Sequence, residues 1–354
     1  MSIRVIRPQE LSQTEIAAWR RVQDGDPHLG SPFFSPEFTQ AVGSARGDAF
    51  VGVIESGGNV VGLFPFQRHG RVGQPIGAAI CDYQGLIAEG TGIVTAGELL
   101  AGCRLDALDF NHVPAVQTIF QEHSILTSRS PYIDLEAGYP AFVARRKQQG
   151  VQEIGSTLRK LRKLEREVGP VRFVADDAEE KAWQKLIAWK NAQYRRSNLV
   201  EALDRDWVSV TLSRIREEKG EPFSGLLSSL YAGDNLLAVH FGMRSRGIWH
   251  YWFPTYDVAF NRYSPGLILL LKMAEYGAAN GIRIIDLGRG QTRYKTAFAD
   301  GEVQLCEGSL QRAASLAGAL RLGQRAVERA WGALPVGAAR DWPRRLFNRL
   351  IWRP

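Results

Sequence analysis

The chain has 354 residues, 45% of them hydrophobic and 23% charged, with a net charge of +7. That composition is ordinary for a folded globular protein and gives room for about two domains of roughly 150 residues. Three scattered cysteines, Cys81, Cys103 and Cys306, make no CxxC pair, which argues against a disulfide framework or a zinc site and fits a reducing compartment, the cytoplasm.

Charges interrupt the N-terminal MSIRVIRPQELSQTEIAAWRR, so no signal peptide is expected. ELSQTEIAAWRRVQ is predicted helical, with Thr14 as candidate cap. SPFFSPEFTQAVGSA enters a helix at Pro36, since proline suits a first helical turn. AFVGVIES and VVGLFPFQ flank Gly-Gly-Asn and predict a hairpin. AAICDYQGLIAE is expected to be a strand pair or a strand and loop, and GELLAGCRLDALDFNHV a helix followed by a strand.

In STLRKLRKLEREVG, Leu158, Leu161, Leu164 and Val168 form one helical stripe and basic residues take the rest. The default for such a helix is a solvated amphipathic face, with reach toward a phosphorylated acceptor as the alternative. Aromatic residues do not interleave with its charges, so no DNA partner is expected. A strand, VRFVA, and two helices, EEKAWQKLIAWKNAQYRR and DWVSVTLSRIREEKG, come next. LLSSLYAGDNLLAVHFGMRSRGIWHYWFPTYD predicts three antiparallel strands. Then follow the turn Ser264-Pro265-Gly266, a helix to about Asn280, the strand IRIIDLG, a short helix around TRYKTAFA and a last strand, EVQLCEGSL. The longest apolar run, GLILLLKMAEYGAA, is shorter than the about 20 residues of a membrane span.

The charge is uneven. From Arg312 to the end, nine arginines face Glu328 and Asp341, a net of +7, so residues 1–311 balance to zero. In this tail Leu316, Leu320, Gly323, Val327 and Trp331 line one stripe beside Arg321, Arg325 and Arg329; after Pro335, Trp342, Leu346, Leu350 and Trp352 repeat the pattern. Arginine-rich amphipathic helices with tryptophans lie at membrane interfaces. The other readings are packing on the protein's own surface and binding of an anionic ligand such as a cyclic dinucleotide.

Three stretches carry candidate chemistry. A glycine-containing turn at a helix start, here after the strand-like IWHYWF, is where proteins hold phosphate, because the first N–H groups and the helix dipole face the anion. IIDLGRGQTRYK contains a lone GxG after a strand; it resembles a methyltransferase glycine motif, but only about 65 residues follow, too few for the doubly wound sheet such a motif would open. Pairing Met243 with Ile248 sets His240 opposite Tyr251, on a face with Ala238 and Gly242, where a histidine can serve as base. Asp82 and Tyr83 in CDYQG, and Asp257 in YDVAF, are rivals for that role.

The order of elements, and above all YDVAFNRYSPGLILLLKMAEYGAANGIRIIDLGRGQTRYKTAF, resembles the acetyltransferase family named for cellulose-biosynthesis proteins of the CelD/BcsL type, a relative of the FemABX peptidyltransferases. STLRKLRKLEREVG looks like the first helix of its domain, and FFSPEF and CDYQGLI like pieces of its N-terminal half. The resemblance is dense over 156–311, looser over 30–140 and absent in the tail. It implies an α/β (α+β) fold of two tandem GNAT-like units with mixed, largely antiparallel sheets. The division is then 1–150 for the first unit, 151–311 for the acyltransferase unit and 312–354 for the basic helical tail.

The resemblance also implies chemistry. In a GNAT fold the turn receives the pyrophosphate of acyl-coenzyme A, and Arg262-Tyr263-Ser264-Pro265-Gly266-Leu267 stands where the usual R/Q-x-x-G-x-G/A occurs. Pro265 removes one backbone donor; the Ser264 hydroxyl, the Gly266 and Leu267 amides, Arg262 and Tyr263 remain. Tyr294 takes the place of the general acid for the leaving thiolate, and Lys295 beside it suits an oxyanion or a phosphate. His240 or Asp82 is the expected base, and Tyr83, Tyr251, Asp257 and Asp286 complete the expected substrate-binding set. The implied reaction is transfer from acetyl-CoA, with no metal, to an amine or hydroxyl on a sugar, free or lipid-linked, of an exopolysaccharide or envelope precursor. The enzyme would be cytoplasmic or peripheral at the inner face of the membrane. The rival readings are a FemABX-like aminoacyl transferase using charged tRNA and a non-catalytic receptor for an anionic nucleotide.

Overall fold

The computed structural model describes residues 1–90, 92–197, 201–290 and 292–312, and the tail beyond lies outside them. The N-terminal elements are β1 (Ser2–Ile6), α1 (Gln13–Gly25), α2 (Pro36–Ala45), β2 (Ala49–Ser56), β3 (Asn59–His69), β4 (Val72–Pro75), β5 (Ile87–Ala88), α3 (Ala96–Gly102), β6 (Ala107–Pro114) and α4 (Thr118–Gln121). Then come β7 (Ser124–Asp134), α5 (Tyr139–Gln148), α6 (Glu153–Glu167), β8 (Val171–Val174), α7 (Glu180–Arg196) and α8 (Asp206–Glu217). The last are β9 (Ser224–Ala232), β10 (Asn235–Ser245), β11 (Ile248–Tyr256), α9 (Pro265–Ala279), β12 (Ile284–Asp286), α10 (Arg293–Phe298) and β13 (Gly301–Gln311). The fold is mixed α/β. Among the described residues no helix is long and apolar enough to cross a membrane.

The chain forms two compact units that interleave in sequence. One holds Met1–Gly25, Val42–Thr127 and the described residues from Leu305 on; the other holds Asp26–Ala41 and Ser128–Gln304. Residues 26–41 and 128–150, which a cut near residue 150 assigns to the first unit, thus cluster with the second, and 305–311 cluster with the first.

The two units repeat one strand pattern. In the first, the order is β1-β2-β3-β4-β6-β13, with β4 and β6 parallel and the other pairs antiparallel. In the second it is β8-β9-β10-β11-β12-β7, with β11 and β12 parallel and the others antiparallel. A parallel pair needs a crossover; α3 lies in the connection before β6 and α9 in that before β12. The first core gathers Phe64, Phe66, Leu99, Phe110, Phe120 and Leu310. The second gathers Ile133, Phe142, Leu164, Trp249, Leu270 and Phe298.

Local chemistry explains the ends and turns. The cap of α1 is Ser12, not Thr14, which lies inside the helix: Glu15 N–H donates to Ser12 Oγ (3.3 Å) and Ser12 N–H to Glu15 Oε2 (2.6 Å), a capping box. Gly57 and Gly58, both at positive φ, close the β2–β3 hairpin as expected. CDYQGLIAE is mostly loop, with only Ile87–Ala88 as strand. In α6, Leu164 is fully buried and Leu158, Leu161 and Val168 pack on the same core, so the stripe read from sequence is the packing face.

The β10–β11 register differs from the expected one. Arg246 (φ 47°) and Gly247 (φ 77°) form a two-residue turn, so Ser245 pairs with Ile248 and Met243 with His250. Positive φ at both central residues is what a type I′ hairpin turn requires. A bulge follows between Phe241 and Met243, and His240 pairs with Pro254. Gly242 makes the bulge possible: a Cβ there would lie 2.2 Å from the His250 carbonyl oxygen.

Candidate active site

In the second unit the β11–β12 ladder opens where β12 stops. Parallel pairing runs Ile248–Ile284, Trp249–Ile285, His250–Asp286 and ends, while β11 continues to Tyr256. The chain leaves β12 through Leu287 and Gly288 (φ 72°). Asp286 fixes this exit: its Oδ1 accepts from the Ser130 hydroxyl (2.8 Å) and from Gly288 N–H (2.7 Å), and His250 Nδ1 lies 3.6 Å away. Asp286 is 4% exposed, so it is a turn anchor rather than a group displayed to a substrate. Lys295 on α10 donates to the Gly288 and Arg289 carbonyls, 2.9 Å each. The glycine motif and the short helix after it therefore brace one arm of the opening.

The other arm leads to the turn before α9. Asp257 Oδ1 accepts from Ala259 N–H (2.9 Å) and starts the 3-10 helix Val258–Tyr263. Ser264 sits in the left-handed region (φ 54°, ψ 56°), rare for a side-chain-bearing residue and a local strain of about 1–2 kcal/mol. Its carbonyl accepts from both Leu267 and Ile268 N–H. The Leu267 amide is therefore engaged inside the helix, and Gly266 N–H is the first amide donor of α9 because Pro265 has none.

Ser264 Oγ accepts a 2.7 Å hydrogen bond from Lys160 Nζ on α6. Tyr263 is 1% exposed and its hydroxyl donates to Glu167 Oε2 (2.8 Å). Arg262 donates to the same hydroxyl and lies 3.8 Å from that carboxylate, with an exposed side chain. Tyr263 is thus a core post and Arg262 a surface cation. Lys163, 3.9 Å from Glu167, adds to the positive group around the turn. The basic stretch 156–167 of α6, a solvated face by default from sequence, brings Lys160 onto the candidate phosphate turn. Nothing in either stretch read alone signals that pairing.

Between the arms lie aromatic and basic side chains. The His240 ring stacks on Tyr251, centroids 4.6 Å apart and planes 16° from parallel. His240 is fully buried and its Nε2 accepts from Trp252 N–H (3.1 Å). Burial first, then the nearby His250 ring, hold its pKa well below the ordinary value, so the ring is neutral. The Tyr251 hydroxyl reaches the Gly266 carbonyl at 3.4 Å, tying β11 to the turn. Burial lifts the Tyr294 phenol to about 12 and Tyr251 well above its usual value; both stay protonated donors at neutral pH.

Lys190 was not singled out from sequence. It continues the buried α7 stripe of Ala182 and Leu186, four residues apart. It is 8% exposed, and its Nζ donates to the Pro254 carbonyl (3.1 Å) on the stretch of β11 that β12 has left. In the first unit, Tyr83 is buried, Asp82 is half-buried, and Cys81 Sγ donates to the Tyr83 carbonyl. Burial raises the Cys81 thiol well above its usual value, which makes it a packing residue rather than a nucleophile.

A strand that parts from its parallel neighbour, a cation-flanked turn at a helix start and a buried phenol can together hold a phosphate-bearing donor and protonate what leaves it. Residues 155–296 match the family model of the acetyltransferase (GNAT) domain, so the second unit carries a GNAT-type acyltransferase domain. Solved structures share the fold across nearly the whole chain. FemX matches at 10% identity over 87% of this chain and 96% of its own, TM-score 0.56. A conserved protein of unknown function from Bacteroides thetaiotaomicron matches at 8% over 87% and 100%, TM-score 0.55. The C-terminal domain of a putative lysylphosphatidylglycerol synthetase from Agrobacterium fabrum matches at 11% over 88% and 95%, TM-score 0.50. At these identities the likeness is one of fold. No curated protein matches the chain.

Proposed function

We propose that the second unit transfers an acyl group from acyl-coenzyme A, with acetyl-CoA as donor, to an amine or hydroxyl. The observation that carries this reading is the early end of β12 beside a β11 that runs on into the Ser264–Pro265–Gly266 turn. The pyrophosphate is assigned to Gly266 N–H, the Ser264 hydroxyl, Lys160 and Arg262, and the thioester to the opening between the strands. A thioester carbonyl there faces backbone of β11 that β12 does not pair, which is suited to stabilise an oxyanion. Tyr294, kept protonated by burial, gives its proton to the departing thiolate and is reprotonated by the proton the acceptor loses on attack, so the step balances. His240 is closed to water and already bonded at Nε2, so we assign it the holding of β11 and of the Tyr251 ring rather than the role of base.

We assign the acceptor to a sugar of an exopolysaccharide or envelope precursor, on the resemblance of 156–311 to the CelD/BcsL type. A second reading is transfer of an aminoacyl group, supported by the missing N–H at Pro265 and the fold shared with FemX. Net neutrality of residues 1–311 speaks against a large polyanion such as tRNA as its donor. Calorimetry with coenzyme A, with mass spectrometry of acetyl-CoA consumed in the presence of amino sugars, tests the first reading. No CoA binding, together with binding of charged tRNA, would replace it with the second.

A further inference from the structure

We propose that the opening beside β11 receives an anionic group of the acyl acceptor, a carboxylate or a phosphate, on the Lys190 ammonium. This rests on the acyltransferase reading and narrows its acceptor to acidic molecules.

The argument begins with where the lysine sits. Ala182 and Leu186 occupy the stripe that α7 buries, and the next position of that stripe is Lys190. A leucine or methionine there would pack without desolvating a charge, and burying an ammonium with no counter-ion costs several kcal/mol. The charge Lys190 carries is met only in part. Of its three N–H donors one goes to the Pro254 carbonyl, and the Tyr194 ring lies 5.3 Å from Nζ. Among the described residues no carboxylate forms an ion pair with it. Burial, and then the neighbouring Lys295 ammonium, push its pKa down to about 8.

Tyr294 and Tyr251 are held protonated, and Lys295 brings a second positive charge to the same opening. Main-chain carbonyls hold both ammoniums in place, and the Pro254 carbonyl does not neutralise Lys190. A compact oxyanion bound among these donors relieves the buried charge. Lys190 holds the part of β11 that faces the thioester, so the anionic group would sit close to the atom that attacks. Amino acids and phosphorylated amino sugars carry both an amine and an oxyanion.

The test uses the full chain with 13C-labelled lysines. The Lys190 signal is assigned by its loss in Lys190→Arg or in Lys190→Gln, whichever keeps the native circular dichroism. Its titration midpoint, expected near 8 in the free protein, is followed with saturating methyl phosphate and, separately, acetate. An upward move of about one pH unit or more is expected with at least one, and the one that acts names the source. A midpoint unmoved by both overturns the proposal. A move that saturating coenzyme A abolishes also overturns it, since the anion would then belong to the donor. Failure of coenzyme A to bind at all is read separately by calorimetry and removes the acyltransferase reading instead.

Discussion

Lys160 and Ser264, separated by 104 residues in sequence, meet through a 2.7 Å hydrogen bond from Nζ to Oγ. The contact fixes a serine in left-handed conformation and supplies the turn with a cation that α9 itself does not provide. A charge-assisted hydrogen bond contributes about 1.5–3 kcal/mol. Lys160→Ala is therefore expected to weaken coenzyme A binding about tenfold or more in calorimetry, with a gap that narrows at high salt. Equal affinities for the two proteins would leave the turn as a helix start without a phosphate role.

Gly266 lies under the Tyr256 ring: a Cβ at Gly266 would come 3.3 Å from Tyr256 Cδ1. Tyr256 is 37% exposed and can swing aside for a single methyl, so Gly266→Ala should bind coenzyme A nearly as well as the native protein. Gly266→Val also crowds the first amide of α9, and affinity should fall by more than about tenfold. A valine variant that binds normally would place the phosphates elsewhere.

Tyr294→Phe keeps the ring and removes the proton. Turnover should drop by about 10²–10⁴-fold while coenzyme A binding survives. Full turnover in that variant would reduce Tyr294 to a packing residue of the core it already touches.

His240 makes stability depend on acid. Its folded-state pKa is depressed, so the unfolded chain binds a proton that the native one refuses. Stability is then complete above the unfolded value of about 6.5 and falls as pH drops below it, by about 1.4 kcal/mol per pH unit until the folded pKa is reached. His240→Phe should lose stability at neutral pH, because Trp252 N–H loses its acceptor, yet its urea midpoint should change less than the native one between about pH 6.5 and 5. Parallel curves would assign the acid sensitivity to other groups.

The arginine- and tryptophan-rich segment 313–354 lies outside the described residues, and we propose that it attaches the protein to an anionic membrane surface. Each basic residue near such a surface contributes about 1 kcal/mol, and the net +7 of residues 312–354 is ample for attachment without a spanning helix. The full chain should pellet with anionic liposomes at low salt, and a chain ending at Gln311 should not. Equal pelleting of the two would refute the proposal, and release of the full chain by a cyclic dinucleotide would favour a ligand role.

What the sequence made legible was local. The α6 stripe, the glycine hairpin, the strand order of 224–256 and the turn before α9 all follow from periodicity and turn chemistry within about ten residues. The α1 cap was also written there, as Ser12 three residues before Glu15, and only the choice between two neighbouring hydroxyl residues went astray. The β10–β11 register was not legible, because it depends on a bulge that a close backbone approach at Gly242 creates. His240 nevertheless meets Tyr251, by stacking rather than by pairing. Lys160 became visible only with the tertiary contact. Lys190 did leave a trace, a lysine falling on the apolar period of α7, which reads as a surface charge until the burial is known.

The interleaving of the two units bears on how this protein can be cut. The stretch that carries the GNAT pattern, 155–296, contains β12 but not β7, whose Tyr132, Ile133 and Asp134 pair with Asp286, Ile285 and Ile284. Nor does it contain Phe33, which stands edge-on to His250 and Trp252 at 4.9 and 5.4 Å. A fragment trimmed to that stretch would present a bare strand edge and an uncovered aromatic face, the combination that drives chains to pair with one another. Inheritance of the pattern and autonomy of folding therefore have different limits here. A catalytic fragment therefore has to keep Asp26–Ala41 and β7 together with the GNAT stretch, two pieces that lie far apart in the sequence.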